Sequence, residues 1–69
     1  MPTIKELREE KGLTQMELCQ RAMVSISALS RMENGKPVNR LTFSRVCRAL
    51  GVRMADVSGV DVIKRSKSA

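Results

Sequence analysis

The chain has 69 residues, which is enough for only one small domain. Hydrophobic residues make up 42% of it, so we expect a packed core, and the single aromatic residue, Phe43, excludes a stacking platform for single-stranded bases. The net charge of +6 favours polyanions, but charge alone does not separate nucleic-acid-binding proteins from other basic proteins.

Two capping-box patterns predict the first two helices. In a capping box, an N-cap hydroxyl accepts a backbone N–H three residues later, and a glutamate there accepts the N–H of the cap. Thr3 with Glu6 begins helix 1, which ends at Gly12, and Thr14 with Glu17 begins helix 2 of about two turns. Their apolar stripes are Ile4 and Leu7 in helix 1, and Leu18, Cys19 and Ala22 in helix 2.

A third helix is predicted from Ser25 to about Glu33, directly after a very short turn. Ser25 is a favourable N-cap, and Leu29 and Met32 begin a new apolar phase. The Asn-Gly-Lys-Pro sequence at 34–37 ends this helix, because Asn and Gly tolerate left-handed backbone angles and proline disfavours helix in the residue before it. Helices 2 and 3 therefore form a candidate helix-turn-helix over residues 14–34.

The second half of the chain predicts one further clear helix and one weaker one. Helix 4 runs from an Asn39 cap to Gly51, and a short helix 5 is expected around 54–57. The fold class is thus all-α, a compact bundle of about five short helices. We expect a domain over 1–59 and a basic tail over 60–69, with disorder at its end. Helix 4 has apolar residues at spacings of three and four: Phe43, Val46, Cys47 and Leu50.

The residue types argue against an enzyme, a cofactor or a metal site. The chain has no histidine, no clustered carboxylates and no phosphate-cradling loop, and two cysteines alone cannot make a structural zinc site. Cys19 and Cys47 lie in apolar helical patterns and are expected to be buried, with a disulfide as the alternative. We see no signal-peptide pattern and no apolar run of roughly 18 residues, so a cytoplasmic protein without a membrane segment is expected.

One side of helix 3 carries no core residue. Ile26, Ser27, Ser30 and Arg31 fall together on the side of a 3.6-residue helix that lies away from its apolar stripe. Cys19 is the small residue available where helices 2 and 3 approach each other. The pattern predicts that helix 3 packs through one face and exposes the other.

Several short motifs in a fixed order identify a known family. They are the sequence from Ile4 to Gln15, the pair Glu17-Leu18, the stretch from Arg31 to Lys36, and Arg48 to Val52. With these motifs, residues 4–57 resemble the Cro/phage-repressor-like helix-turn-helix family, also called the Xre family. The resemblance implies a lambda-repressor-like DNA-binding fold in which helix 3 enters the major groove of DNA.

The resemblance also implies roles for individual residues. Arg31 would donate two bonds to a guanine and Ile26 would pack on a thymine methyl, although a solvated surface Arg31 is the alternative. A salt bridge would join Arg8 to Glu33. The implied base-contacting residues are Ile26, Ser27, Ser30 and Arg31, and the implied phosphate-contacting residues are Gln15, Ser25, Asn34, Lys36 and Arg40.

Two departures from the family pattern concern small residues. Met23 stands at a turn position often held by glycine, and Cys19 stands where alanine is usual. A positive φ at Met23 would cost around 1 kcal/mol. We therefore expect the turn either to avoid that geometry or to accept mild strain.

The leading functional hypothesis is a sequence-specific transcriptional regulator that binds a palindromic operator in double-stranded DNA as a homodimer, and is nucleoid-associated when bound. No small-molecule substrate is evident. A module that uses the same fold to recruit a protein partner is the alternative. The candidate dimer surface is helix 5 with Val57, Val60, Val62 and Ile63, and the alternative for this segment is a loop folded back on its own domain.

Overall fold

Four α-helices account for most of the residues that the computed structural model describes, which are residues 1–63. They are α1 (Ile4–Glu10), α2 (Gln15–Ala22), α3 (Ile26–Glu33) and α4 (Arg40–Leu50). Helices 1 to 4 of the sequence prediction are confirmed. The other elements are a 3-10 turn at Met54–Asp56 and two short strands, β1 (Pro37–Val38) and β2 (Asp61–Val62).

The predicted fifth helix is wrong as an α-helix, since only the three-residue 3-10 turn forms there. Arg53, at its N-cap, makes no side-chain capping bond. A stretch this short without a cap leaves its first N–H groups unsatisfied and does not sustain α-helical hydrogen bonding. The predicted tail from Lys64 to Ala69 lies outside the described residues.

Both capping boxes are present at the starts of α1 and α2. The Thr14 hydroxyl accepts the N–H of Glu17 at 3.1 Å, and the Glu17 carboxylate accepts the N–H of Thr14 at 2.8 Å. This backbone bond from Thr14 lowers the pKa of Glu17, because it stabilises the ionised carboxylate. Ser25 and Asn39 likewise cap α3 and α4 through their side-chain oxygens, so each predicted N-cap is confirmed.

All four helices end with the same backbone arrangement. In each, an N–H donates to the carbonyl five residues earlier, and the residue before that donor has a positive φ, as in a Schellman motif. Three of these residues are glycines, but the one that ends α2 is Met23, with φ 60° and ψ 45°. The turn accepts the strained geometry. The donor–acceptor pairs are Leu13 to Arg8, Val24 to Cys19, Lys36 to Arg31 and Val52 to Cys47.

We expect Met23→Gly to raise the free energy of unfolding by about 0.5–1 kcal/mol, because glycine adopts positive φ without steric cost. No packing is lost, since Met23 is 78% exposed. Urea unfolding followed by far-ultraviolet circular dichroism measures the change. The control is Gln20→Gly, at an exposed α2 position with ordinary helical angles, which should lower stability by up to about 1 kcal/mol. A loss at both positions would show that Met23 is not strained.

The core is aliphatic and draws on every helix. Leu18, Leu29 and Val46 are fully buried, and the predicted stripe residues surround them. Cys19 and Cys47 are buried free thiols, as predicted, and they do not form the alternative disulfide. Val38 and Val57 extend the core beyond the helices.

The two strands join the loop after α3 to the C-terminal segment. They pair in parallel, with Pro37 opposite Asp61 and Val38 opposite Val62, and Ile63 N–H donates to the Val38 carbonyl at 2.8 Å. The segment after the 3-10 turn therefore folds back on its own domain. Of the four apolar residues named for the predicted dimer surface, Val57 is buried, Val60 and Val62 pack against the core, and Ile63 is exposed. The packed structure thus continues past the predicted boundary at residue 59.

Burial of Cys47 predicts a pH-dependent stability. Desolvation raises the pKa of this thiol from 9.0 to about 11, so its contribution is fully present below pH 9 and is lost as pH rises through 11. We expect the wild type to lose about 1–2 kcal/mol more than Cys47→Ala between pH 9 and 11, by urea unfolding. Parallel losses in both proteins would contradict this assignment.

No helix within residues 1–63 combines the length and the apolar character required to cross a bilayer.

Candidate nucleic-acid interface

The outer face of α3 carries polar side chains together with one apolar side chain, Ile26. Ile26 is 46% exposed, Ser27 and Arg31 are exposed, and Ser30 is half-buried. On the opposite face, Leu29 and Met32 are almost completely buried. The four residues that the sequence assigns to base contacts thus lie together, on a helix whose position is fixed by its other side.

Arg31 is held against the loop that follows α3. Its Nη2 donates to the Pro37 carbonyl at 2.9 Å, and this bond uses one of the five N–H donors of a guanidinium. The remaining donors are available for a ligand. Sequence reasoning missed this contact, because a side-chain bond to a carbonyl six residues away in a loop has no periodic signal.

The loop between α3 and α4 presents two further cations. Lys36 and Arg40 are both exposed, and Arg40 is the first residue of α4, directly after the Asn39 cap. Asn34 differs, because its side-chain N–H donates to the Ser30 carbonyl at 2.9 Å and so satisfies the end of α3. An anion at Asn34 would have to share this amide group.

Glu33, the last residue of α3, gathers three donors from two other segments. Its carboxylate accepts bonds from Arg8 Nε at 2.7 Å, Arg8 Nη2 at 3.2 Å and Gln15 Nε2 at 3.0 Å. Arg8 also donates to the Leu13 carbonyl at 2.9 Å. The arrangement ties the end of α3 to α1 and to the start of α2.

This junction is largely withdrawn from water. The side chain of Glu33 is 5% exposed and that of Arg8 is 12% exposed. The hydrogen bond to Glu33 raises the pKa of Arg8, so the guanidinium is charged at every accessible pH. Gln15, which the sequence assigns to a phosphate, is also a structural partner of Glu33; the sequence offers no signal for a bond between residues so far apart.

Charge is distributed unevenly along the chain. No acidic residue occurs between Glu33 and Asp56, whereas four of the seven acidic residues precede Leu18. The loop after α3 and all of α4 therefore carry only positive side-chain charge, which attracts a polyanion to this part of the surface. The cations between the two acidic residues are Lys36, Arg40, Arg45, Arg48 and Arg53.

The outer face of α3 is suited to the major groove of DNA by the diameter of the helix and by the chemistry of its side chains. An α-helix fits a major groove of about 12 Å, where guanidinium, hydroxyl and apolar groups distinguish base edges. Cations beside the helix contact phosphates, which adds affinity without sequence choice.

Comparison with family models gives a match over residues 4–57, to the helix-turn-helix family of the Cro/C1 type. This is the range over which the sequence predicts a resemblance to that family, and the match confirms it. Comparison with curated proteins and with solved structures gave no match.

Proposed function

The chain belongs to the Cro/C1-type helix-turn-helix family of DNA-binding regulators, which are typically not enzymes, and on this premise we propose that it binds specific sequences in double-stranded DNA and regulates transcription. In this proposal α3 lies in the major groove. The observation that carries the proposal is the outer face of α3, where Ile26, Ser27 and Arg31 are exposed opposite a buried inner face.

The exposed residues of α3 have complementary chemistry for base recognition. Arg31 donates to O6 and N7 of a guanine with N–H groups that its bond to Pro37 leaves free, and Ile26 packs on a thymine methyl. Ser27 and Ser30 hydrogen-bond to base edges. The bond to the Pro37 carbonyl already restrains the Arg31 side chain, which reduces the conformational freedom that Arg31 loses on binding.

Phosphate contacts flank this helix in the proposed complex. Lys36 and Arg40 are exposed cations and supply the main charge contacts. The Ser25 hydroxyl donates to a phosphate while its oxygen continues to cap α3. Gln15 and Asn34 contribute with the N–H groups that their internal bonds do not use.

Two copies of the chain bind an inverted repeat in this proposal. One recognition helix reads only one half-site, so a twofold dimer matches a palindromic operator. Because Val57, Val60 and Val62 pack on their own domain, the dimer contact moves to residues that remain exposed. Leu41, 60% exposed at the start of α4, and Ile63, 46% exposed, are the apolar candidates near the strand pair.

Selection from random duplex DNA tests this function. We expect a twofold-symmetric consensus, and equal binding to every sequence would contradict specific recognition.

Titration across salt concentrations then separates the two kinds of contact. Lys36→Ala should weaken binding to all sequences alike and reduce the salt slope by about 1, because one phosphate contact is lost. Lys5→Ala removes the same charge from α1, outside the proposed surface, and is the matched control. Equal changes in both variants would show that Lys36 acts only through net charge.

A further inference from the structure

A basic cleft lies between the C-terminal end of α2 and the second half of α4. Its volume is about 490 Å³, and it is open to solvent. None of the proposed DNA-contacting residues lines it. The lining residues are Arg21, Ala22, Met23, Arg45, Arg48 and Ala49.

The three arginines of the cleft have no acidic partner among residues 1–63. The ion pairs within residues 1–63 are Arg8 with Glu33 and Arg53 with Asp56, and neither pair lines the cleft. Glu17, one turn before Arg21, directs its carboxylate to the Thr14 N–H and interacts with Arg21 only through a longer-range charge attraction. The Arg45 side chain makes a single hydrogen bond within residues 1–63, to the Met23 carbonyl at 3.5 Å, which is at the limit of hydrogen bonding.

Helix ends explain only part of this cluster. Arg21 and Arg48 each lie in the last turn of a helix, where a cation interacts favourably with the helix dipole. Arg45 lies in the middle of α4 and gains nothing comparable, although it shares a face with Arg48 at a spacing of three residues. The dipole also does not account for the convergence of three guanidinium groups on one concavity.

Part of the cleft lining is apolar. Ala22 and Ala49 contribute to it, and Met23, at the left-handed turn, has a side chain that is 78% exposed. Guanidinium groups next to accessible apolar surface suit a ligand that carries both carboxylates and an apolar side chain.

The cleft is displaced along α2 and α4 from the proposed phosphate contacts at Gln15 and Arg40, although Ser25 follows Met23 by only two residues. Arg48 is about 12 Å along α4 from Arg40, and Arg21 is about 9 Å along α2 from Gln15, at 1.5 Å per residue. A segment bound in the cleft therefore leaves the N-terminal ends of α2 and α4 free for DNA.

We propose that this cleft docks an acidic peptide segment of a partner protein. Carboxylates of the segment pair with the guanidinium groups of Arg21, Arg45 and Arg48, and one of its apolar side chains packs on Met23 and the two alanines. An extended segment satisfies several arginines at once, with bidentate bonds that a single small anion in an open, hydrated cleft does not match.

Titration of the full-length, nitrogen-15-labelled chain with a defined peptide tests the proposal. The probe is a synthetic eight-residue peptide with four glutamates and two leucines and capped termini. We expect nuclear magnetic resonance shift changes confined to the cleft, and at least fivefold weaker binding for Arg45→Ala/Arg48→Ala. The control, Lys11→Ala/Arg53→Ala, removes the same charge from exposed sites outside the cleft and should change affinity less than twofold.

Several results would overturn the proposal. The first is the absence of binding at millimolar peptide, and the second is equal weakening of binding by both double variants. The third is that inorganic pyrophosphate, or a peptide with alanine in place of leucine, binds with the same affinity as the original peptide. If duplex DNA displaces the peptide, and the salt slope of DNA binding is smaller in Arg45→Ala/Arg48→Ala than in the wild type, the cleft is a DNA contact instead. Unchanged circular dichroism spectra establish that the variants fold. The peptide titration itself contains no DNA, which is added only in the separate displacement experiment, so its result is independent of the proposed function.

Discussion

Replacing Glu33 with alanine should lower the free energy of unfolding by about 3–5 kcal/mol, because Arg8 then remains charged and largely buried without a partner. Gln15 loses its acceptor in the same variant. A domain of this size has a total stability of about 3–10 kcal/mol, so a large fraction of the variant would be unfolded at 25 °C. Urea unfolding monitored by circular dichroism measures the loss.

The exposed ion pair within residues 1–63 provides the matched control. Arg53 and Asp56 lie 3.1 Å apart with side chains 83% and 52% exposed, so Asp56→Ala should change stability by less than about 1 kcal/mol. Removing both charges in Arg8→Met/Glu33→Leu should recover most of the loss, since no unpaired charge is left. If Glu33→Ala is as mild as Asp56→Ala, burial of the pair has no energetic consequence.

Arg31→Ala should weaken binding to the selected DNA site by about 1–3 kcal/mol, which corresponds to roughly 5- to 150-fold, and should abolish preference at one base pair. The reason is the loss of a two-bond contact to guanine. Arg31→Lys keeps the charge but not the planar pair of donors, so it should lose most of the same preference. Competition among all four bases at every position of the site gives the measurement.

The outcome for Arg31 separates the base contact from three alternative roles. A phosphate contact would weaken all sequences equally, and a solvated surface residue would leave both affinity and preference unchanged. A role only in holding the loop through the Pro37 carbonyl would lower stability without altering the choice of base at one position.

Local signals explain why so much of the fold follows from the sequence. The Thr14–Glu17 capping box and the apolar residues of α4 depend on neighbours three or four positions away, and these interactions form within one helix. The strand pair is different, because Val38 and Val62 are distant in sequence and each strand has only two residues. Alternation over so short a stretch does not distinguish a strand from a loop.

The candidate site was predictable to a similar extent. Periodicity alone places Ile26 and Arg31 on the exposed side of α3. It gives no information on the bonds from Arg31 to Pro37 or from Gln15 to Glu33, which depend on how separate segments pack. The left-handed angle at Met23 also runs against residue preference. It is accepted because the side chain extends into solvent and the Val24 N–H completes the end of α2.

The parallel strand pair has a consequence for the motions of the domain. Because β1 lies in the loop that carries Lys36, and Ile63 donates to the Val38 carbonyl, neither segment can open without breaking bonds to the other. Loop and C-terminal segment therefore fluctuate as one cooperative unit. A ligand that orders the loop at Lys36 should also slow opening at Ile63. Amide hydrogen exchange at β2 therefore reports on the surface around Lys36, although β2 is not part of that surface.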